Sequence, residues 1–200
     1  MTTKILRTFE FQAGLYFKDN FIMNVYDLTV SMDVETESIR EQNVAMERIK
    51  YFLHNCLDSS IFILDSEKKV IEKYMTAGLK VCLLPEEPYD QIITTMLLVK
   101  LNAIVEGRLS ITNIVLGSKL SDDIKFDCSY DTPLGPFSKN GWWSTATTHI
   151  IDAQKNHNKK EKIVKLIKPV CADWDDVDLM WAPGSDKQNT EIVFSFDPEK

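Results

Sequence analysis

Hydrophobic and polar residues alternate along the first part of the chain. Between residues 5 and 17, Phe9, Phe11, Ala13, Leu15 and Phe17 fall on one side, and Thr8, Glu10, Gln12 and Tyr16 on the other. Residues 21–35 repeat the pattern, with Tyr26, Leu28, Val30, Met32 and Val34 opposite Asp27, Thr29, Ser31, Asp33 and Glu35. A period of two with one polar face predicts half-buried strands. The turn Lys18-Asp19-Asn20 predicts that they form an antiparallel hairpin.

The rhythm then becomes helical. Ser38 and Glu41 have the spacing of a capping box, in which the serine oxygen accepts a free backbone N–H and the glutamate reaches back. Ala45, Ile49, Phe52, Leu53 and Cys56 follow at helical spacing, which predicts a helix over 38–57 with one face on the hairpin. Residues 60–64 (SIFIL) and 81–84 (VCLL) are short continuous apolar runs. Between them Val70, Ile71, Tyr74 and Met75 make a helical stripe, with Asp65-Ser66 placed as an N-cap and Gly78 placed to end the helix in the left-handed conformation. This is a β-α-β pattern, whose strands should be parallel and buried on both faces.

Residues 85–107 read PEEPYDQIITTMLLVKLNAIVEG. The apolar residues from Ile92 to Val105 leave little polar face, so the segment predicts a central helix, with Pro88 at its first position and Gly107 at its end. A second hairpin follows over 108–117 and 123–130 with a Gly-Ser-Lys turn. The expected fold is therefore α+β: antiparallel hairpins at both ends of a mixed sheet, an internal β-α-β unit and a central apolar helix.

Beyond Tyr130 the pattern weakens. Residues 132–141 hold two prolines and two glycines and read as a loop. Residues 159–168 predict a short amphipathic helix, and 191–196 (EIVFSF) a last strand. We expect a core domain over 1–130 and, over 131–200, a tryptophan-containing extension packed on it.

Composition narrows the function classes. The chain has 200 residues, 44% of them hydrophobic, enough for a core without staples. A net charge of −7 argues against non-specific nucleic-acid binding, which needs a basic stripe. No apolar run approaches the ~20 residues of a membrane span, and the N-terminus lacks a signal peptide's continuous apolar segment, so the expected location is cytoplasmic, with reduced thiols. Cys56, Cys82, Cys128 and Cys171 are widely separated, as are His54, His149 and His157; no zinc-type pair or HExxH is present, and a histidine-rich metal site is not expected. The chain has no P-loop, G-x-G-x-x-G or G-x-S-x-G motif, and Ser66, Ser144 and Ser185 have no histidine nearby in sequence.

Four features carry candidate chemistry. In open sheets, ligands bind beyond the carboxyl ends of parallel strands. The two β-α-β strands end in Asp65-Ser66 and Glu86-Glu87, with Asp90 a turn further on, so these five residues are the candidate ligand site. They suit the N–H groups of a purine- or pterin-like ring, a nucleotide, a ligand cation, or Mg²⁺ with its oxygen preference. Helix punctuation accounts for most of them without a ligand, because acidic residues are favoured near helix N-termini. The glutamate pair stiffened between two prolines is what punctuation explains least. The second feature is the acidic sheet face of Glu10, Asp27, Asp33 and Glu35, read as a solvated face or a partner surface. The third is a lysine patch over 155–168 followed by the aspartates of 173–186, read as solvated faces or as steering charges; the acidic run fails the EF-hand template. The fourth is Trp142, Trp143, Trp174 and Trp181, which suit packing of the extension or a subunit interface.

The order hairpin–helices–hairpin resembles the tunnelling fold of pterin and deazapurine enzymes. These assemble their strands into rings and anchor a ring ligand with a glutamate. The resemblance is topological: the zinc-binding histidines of the pyruvoyltetrahydropterin synthase branch have no counterpart, and the β-α-β unit is additional. The reading that needs fewest assumptions is a non-catalytic binding or assembly protein, homo-oligomeric and without a cofactor. The alternative is a small-molecule binding protein or enzyme using the strand-end carboxylates, with or without Mg²⁺.

Overall fold

The computed structural model describes residues 4–34, 38–121, 124–147, 174 and 179. The elements are β1 (Lys4–Phe17), β2 (Asn20–Val34), α1 (Ile39–Tyr51), β3 (Ser60–Leu64), α2 (Lys68–Thr76), β4 (Lys80–Leu84), α3 (Asp90–Val105), β5 (Leu109–Ser118) and β6 (Lys125–Ser129). They form one six-stranded mixed sheet in the order β4-β3-β1-β2-β5-β6. The α+β expectation and both hairpins hold.

The first hairpin closes through a two-residue turn, with Lys18 and Asp19 both at positive φ, the backbone that matches strand twist. β3 pairs in parallel with both β1 and β4, and β5 runs antiparallel to β2. The carboxyl ends of β1, β3, β4 and β5 therefore lie on the same edge of the sheet. The pairing of β1 with β3 is a tertiary choice that no local pattern announces.

Odd-numbered residues of β1 and even-numbered residues of β2 supply the core face, where Phe11 stacks on Tyr26 at 5.1 Å and Phe9 meets His54 edge-on at 6.5 Å. α1 and α3 cover this face. α3 is buried over most of its circumference, as its composition predicts. α2 lies on the opposite face, where Tyr74 packs against Tyr16 and Phe21. Gly14 sits under the Phe21 ring: a Cβ there would lie 2.5 Å from it, so a larger residue would lift the ring.

Several local expectations need correction. Asp65 and Ser66 do not cap α2. The Asp65 N–H extends the sheet by donating to Leu84 O (2.9 Å), so the chain needs a further turn, and α2 starts at Lys68 behind Glu67 without a side-chain cap. Pro88 does not open α3, which starts at Asp90; Tyr89 N–H instead donates to Glu87 O (2.7 Å) in a tight turn. Only half of the capping box forms. Ser38 Oγ accepts from Glu41 N–H (3.4 Å), but the Glu41 carboxylate is drawn away to Arg108. The predicted helix over 38–57 is α-helical to Tyr51 and then widens into a π-helix, Phe52–Leu57. β5 runs through the expected Gly-Ser-Lys turn as far as Ser118.

Asn102 completes the sheet where β6 stops short. Its side-chain amide donates to Ile111 O (3.0 Å) and accepts from Ile111 N–H (3.0 Å), standing in for a neighbouring strand beside a bulge in β5. Past Ser129 the chain makes two short 3-10 turns, Gly135–Ser138 and Trp142–Ser144. Phe137, Trp142, Trp174 and Leu179 join the hydrophobic core. The expected helix over 159–168, the last strand over 191–196, the lysine patch over 155–168 and Trp181 lie outside the described residues. Among the described residues no helix is long and apolar enough to cross a membrane. Cys56, Cys82 and Cys128 are buried and in no disulfide.

Candidate functional site at the carboxyl edge

The sheet's carboxyl edge carries two acidic stations. The first lies over β1, β3 and β4. The hairpin turn and the segments after β3 and β4 enclose a cleft of about 110 Å³, lined by Tyr16, Phe17, Lys18, Asp19, Leu64, Glu67, Glu87 and Pro88. Three chain segments each contribute one carboxylate: Asp19 from the turn, Glu67 from the start of α2, and Glu87 from the segment before α3. The aromatic wall is fixed by its own contacts. Tyr89 meets the Phe17 ring edge-on at 5.1 Å, and the Lys18 ammonium lies over that ring at 4.8 Å from its centre.

Two phenols report the local charge. Tyr16 donates to Asp19 Oδ1 (3.0 Å), and Tyr89 donates to Glu87 Oε2 (2.7 Å). The Tyr16 hydroxyl is raised above its ordinary value, first by the hydrogen bond to Asp19, then by partial burial and by the charges of Asp19 and Glu67. The Tyr89 hydroxyl is raised by the hydrogen bond to Glu87, by burial and by the charge of Glu87. Both shifts have the sign expected for a phenol held beside carboxylates.

The second station lies over β2 and β5. Asp90, the first residue of α3, accepts from Tyr26 Oη (3.2 Å) and from Ser121 Oγ (3.1 Å). Below it Asn24 Nδ2 donates to Ser118 Oγ (2.7 Å), and Asn24 Oδ1 accepts from Val25 N–H (2.8 Å). Tyr26 is fully buried, and burial, then the Asp90 charge, pushes its phenol far up. These are interior polar groups with partners, as buried polar groups need.

The five candidate ligand residues thus separate. Glu87 lines the cleft. Asp90 is turned into the Tyr26–Ser121 network. Asp65, Ser66 and Glu86 are exposed on the same edge but do not line the cleft. Asp19, Glu67 and Tyr16 also line the cleft, and the sequence pattern does not single them out as ligand residues. Asp19 was visible only as a turn residue, because the β1–β3 pairing that brings it beside Glu87 leaves no mark in the sequence. Among the described residues no three histidine, cysteine, aspartate or glutamate side chains converge to hold a metal ion.

Of the acidic sheet face, Glu10 and Asp27 are exposed, Asp33 is half-buried and Glu35 lies outside the described residues. Glu10 and Asp27 are direct cross-strand partners, and Lys119 reaches Glu10 at 3.4 Å. The three described tryptophans pack within the chain. Trp142 is buried, Trp143 packs edge-on against Phe137 at 5.2 Å, and Trp174 packs against Tyr51 at 6.0 Å with the Arg48 guanidinium 4.9 Å from its ring centre.

No family model matches the chain, and no curated protein matches it. Two of the solved structures that the chain matches show the extent of similarity. One is an uncharacterized protein from Wolinella succinogenes, with a TM-score of 0.46 and 10% identity, covering 66% of this chain and 99% of that one. The other is a catalytic-residue mutant of 6-pyruvoyltetrahydropterin synthase from Plasmodium vivax, with a TM-score of 0.39 and 10% identity, covering 64% and 97%.

Proposed function

We propose that the chain is a binding protein for a small nitrogenous ligand, a cation or a ring edge presenting adjacent N–H groups, held in the cleft by Glu87, Asp19 and Glu67. The observation that supports this reading is the meeting of three carboxylates from three segments around one recess. The walls carry these three carboxylates against the one ammonium of Lys18, and a cationic or N–H-rich head group would give the carboxylates donors. The Phe17 and Tyr16 rings offer a flat apolar wall beside them.

The size of the recess constrains the ligand. Whole drug-sized ligands fill roughly 300–1,000 Å³, whereas this cleft holds about 110 Å³. It takes one head group, with the rest of the ligand in solvent. A nucleotide phosphate is disfavoured by the charge of the walls. The Mg²⁺ reading needs Asp65, Glu86, Glu87 and Asp90 on one ion, and Asp90 is engaged elsewhere.

The test begins with native mass spectrometry of the protein as purified, which reports retained small-molecule mass and subunit number together. Calorimetric titration then uses agmatine and 2-aminopyrimidine as probes of the two head-group chemistries. Saturable binding to the wild type that is lost in Glu87→Gln, with an unchanged melting temperature, is the expected result. No retained mass and no saturable binding of either probe would remove the proposal.

A second reading, assembly into a homo-oligomer, is favoured by one observation. β2 extends beyond its last β5 partner, Tyr26, and this stretch exposes Phe21, Ile22 and Met23 at 47%, 41% and 50%. Exposed apolar residues on an uncovered strand suit a subunit contact. The subunit number from the same spectrum decides it, and a monomer at micromolar concentration would sink this reading.

A further inference from the structure

We infer that residues 135–147 are an edge guard for the sheet and that Lys100 is its latch. Among the described residues β4 is the outermost strand on its side. Leu84 O faces β3, where Asp65 N–H meets it. By strand alternation the backbone groups of Leu83 point away from the sheet. An edge with free backbone groups is a template for another strand. Among the described residues no strand occupies the Leu83 carbonyl. The Trp142 indole does, donating Nε1–H at 2.8 Å from a ring only 2% exposed.

The guard has little regular structure of its own, only the two short 3-10 turns. Its position depends on side chains reaching its backbone. The main one is Lys100, in the middle of α3 and fully buried. Its ammonium donates to Trp142 O (2.9 Å), Thr145 O (2.9 Å) and Thr147 O (2.7 Å). The rings of Phe52 and Trp142 lie 5.8 and 5.5 Å from it. Trp174 adds a second tie by donating to Ala146 O.

The chemistry makes guard and latch interdependent. A buried ammonium is strongly destabilising unless polar groups replace its hydration. The carbonyls of the guard supply that replacement, so α3 keeps its charge in the interior only while the segment is docked. A carbonyl is present at every residue. The latch therefore reads the path of the guard's backbone rather than its side chains, and Lys100 and Trp142 are the positions that cannot change. Undocking would free the Leu83 carbonyl and open β4 to a strand from a second copy of this chain. This inference is independent of the cleft and its ligand.

The test is Lys100→Met in the full chain, which keeps an unbranched side chain of similar length and removes the charge. Hydrogen exchange should accelerate on the order of tenfold in the peptides covering 80–84 and 142–147, the change expected when charge-assisted hydrogen bonds are lost. Native mass spectrometry should then show larger, concentration-dependent species than the wild type forms. Unchanged exchange in both peptides would overturn the latch. Exchange that accelerates in 142–147 alone would overturn the guard. Should Lys100→Met not fold, Trp142→Phe keeps an aromatic ring and removes the donor. The same acceleration at 80–84 is expected there, and its absence overturns the proposal.

Discussion

Glu87 and Asp90 are three residues apart and sit on the same edge of the same sheet, yet the fold uses them in opposite ways. Asp90 accepts two side-chain hydroxyls, one of them from the fully buried Tyr26. Among the described residues Glu87 accepts a surface phenol, Tyr89, and faces a recess with Lys18 and two further carboxylates. Removing Asp90 orphans an interior donor, whereas removing the charge of Glu87 leaves no interior group without a partner. The difference teaches that an acidic run at a helix start is not one feature. Where β5 and β2 rise to meet the chain, the carboxylate becomes structural. Where the β1 hairpin turn leaves a gap, it stays available.

The contrast is broken most strongly by Asp90→Ala. The Tyr26 hydroxyl would lose its acceptor inside the protein, and an unsatisfied buried donor costs about 1–3 kcal/mol. For a chain of this size, each ~1 kcal/mol lowers the melting temperature by about 2–4 °C. Asp90→Asn, which keeps an acceptor oxygen, should recover much of the loss. Adding Tyr26→Phe to Asp90→Ala should lower the penalty by removing the orphaned hydroxyl. Calorimetric melting of the three variants checks this. An Asp90→Ala protein that melts with the wild type would place Asp90 among the surface carboxylates.

How much of this was legible beforehand depended on whether the cause was local. The hairpins, the β-α-β unit and the apolar α3 were readable because strand alternation and helical spacing act over a few residues. That the segments after β3 and β4 share one edge was readable too, because parallel strands end together. The division of labour along it was not. Asp90 reads as a helix-start residue until Tyr26, 64 positions earlier, is known to reach it. Asp19 reads as a turn residue until β1 is known to pair with β3. Lys100, in the sequence one charge in an apolar helix, is explained by carbonyls 42–47 positions away.

A third carboxylate gives an intermediate case. Glu106 follows α3 in the left-handed conformation and pairs with both Arg48 and Arg108. Burial pushes its carboxyl up, but the hydrogen bonds from Arg108 and Arg48 outweigh this and hold it below the ordinary value. A carboxyl lowered in the folded state adds stability above its unfolded value, about 4.3. That contribution fades as pH falls through the lower folded value. The Glu106 side chain is 42% exposed, so solvent screening limits the effect to about 1 kcal/mol or less. Glu106→Gln should therefore be slightly less stable than wild type at neutral pH, with the gap closing as pH drops below about 4. Urea midpoints at neutral and acidic pH would show this. A gap that persists in acid would mean that packing, not charge, is what Glu106 contributes.

The smallest change in stability is expected at Glu87, and that makes it the sharpest test of the comparison. Glu87→Gln keeps the shape of the side chain and an acceptor for Tyr89, and it buries nothing new. Surface substitutions of this kind usually fall within ~0.5 kcal/mol of zero, so thermal and urea unfolding should match the wild type. The charge should still leave a trace, because the hydrogen bond and charge of Glu87 are what raise the Tyr89 phenol. Without that charge, the Tyr89 titration should move down toward the ordinary tyrosine range, and Tyr16, held up by Asp19 and Glu67 instead, should move much less. An ultraviolet titration of Glu87→Gln with Tyr89→Phe as the reference separates the two phenols. If Tyr89 does not move, the Glu87 carboxylate does not stand where the cleft requires it, and the ligand reading loses its principal residue. If Tyr89 moves while stability holds, Glu87 is a carboxylate the fold can do without, which is what a binding residue must be and what Asp90 is not.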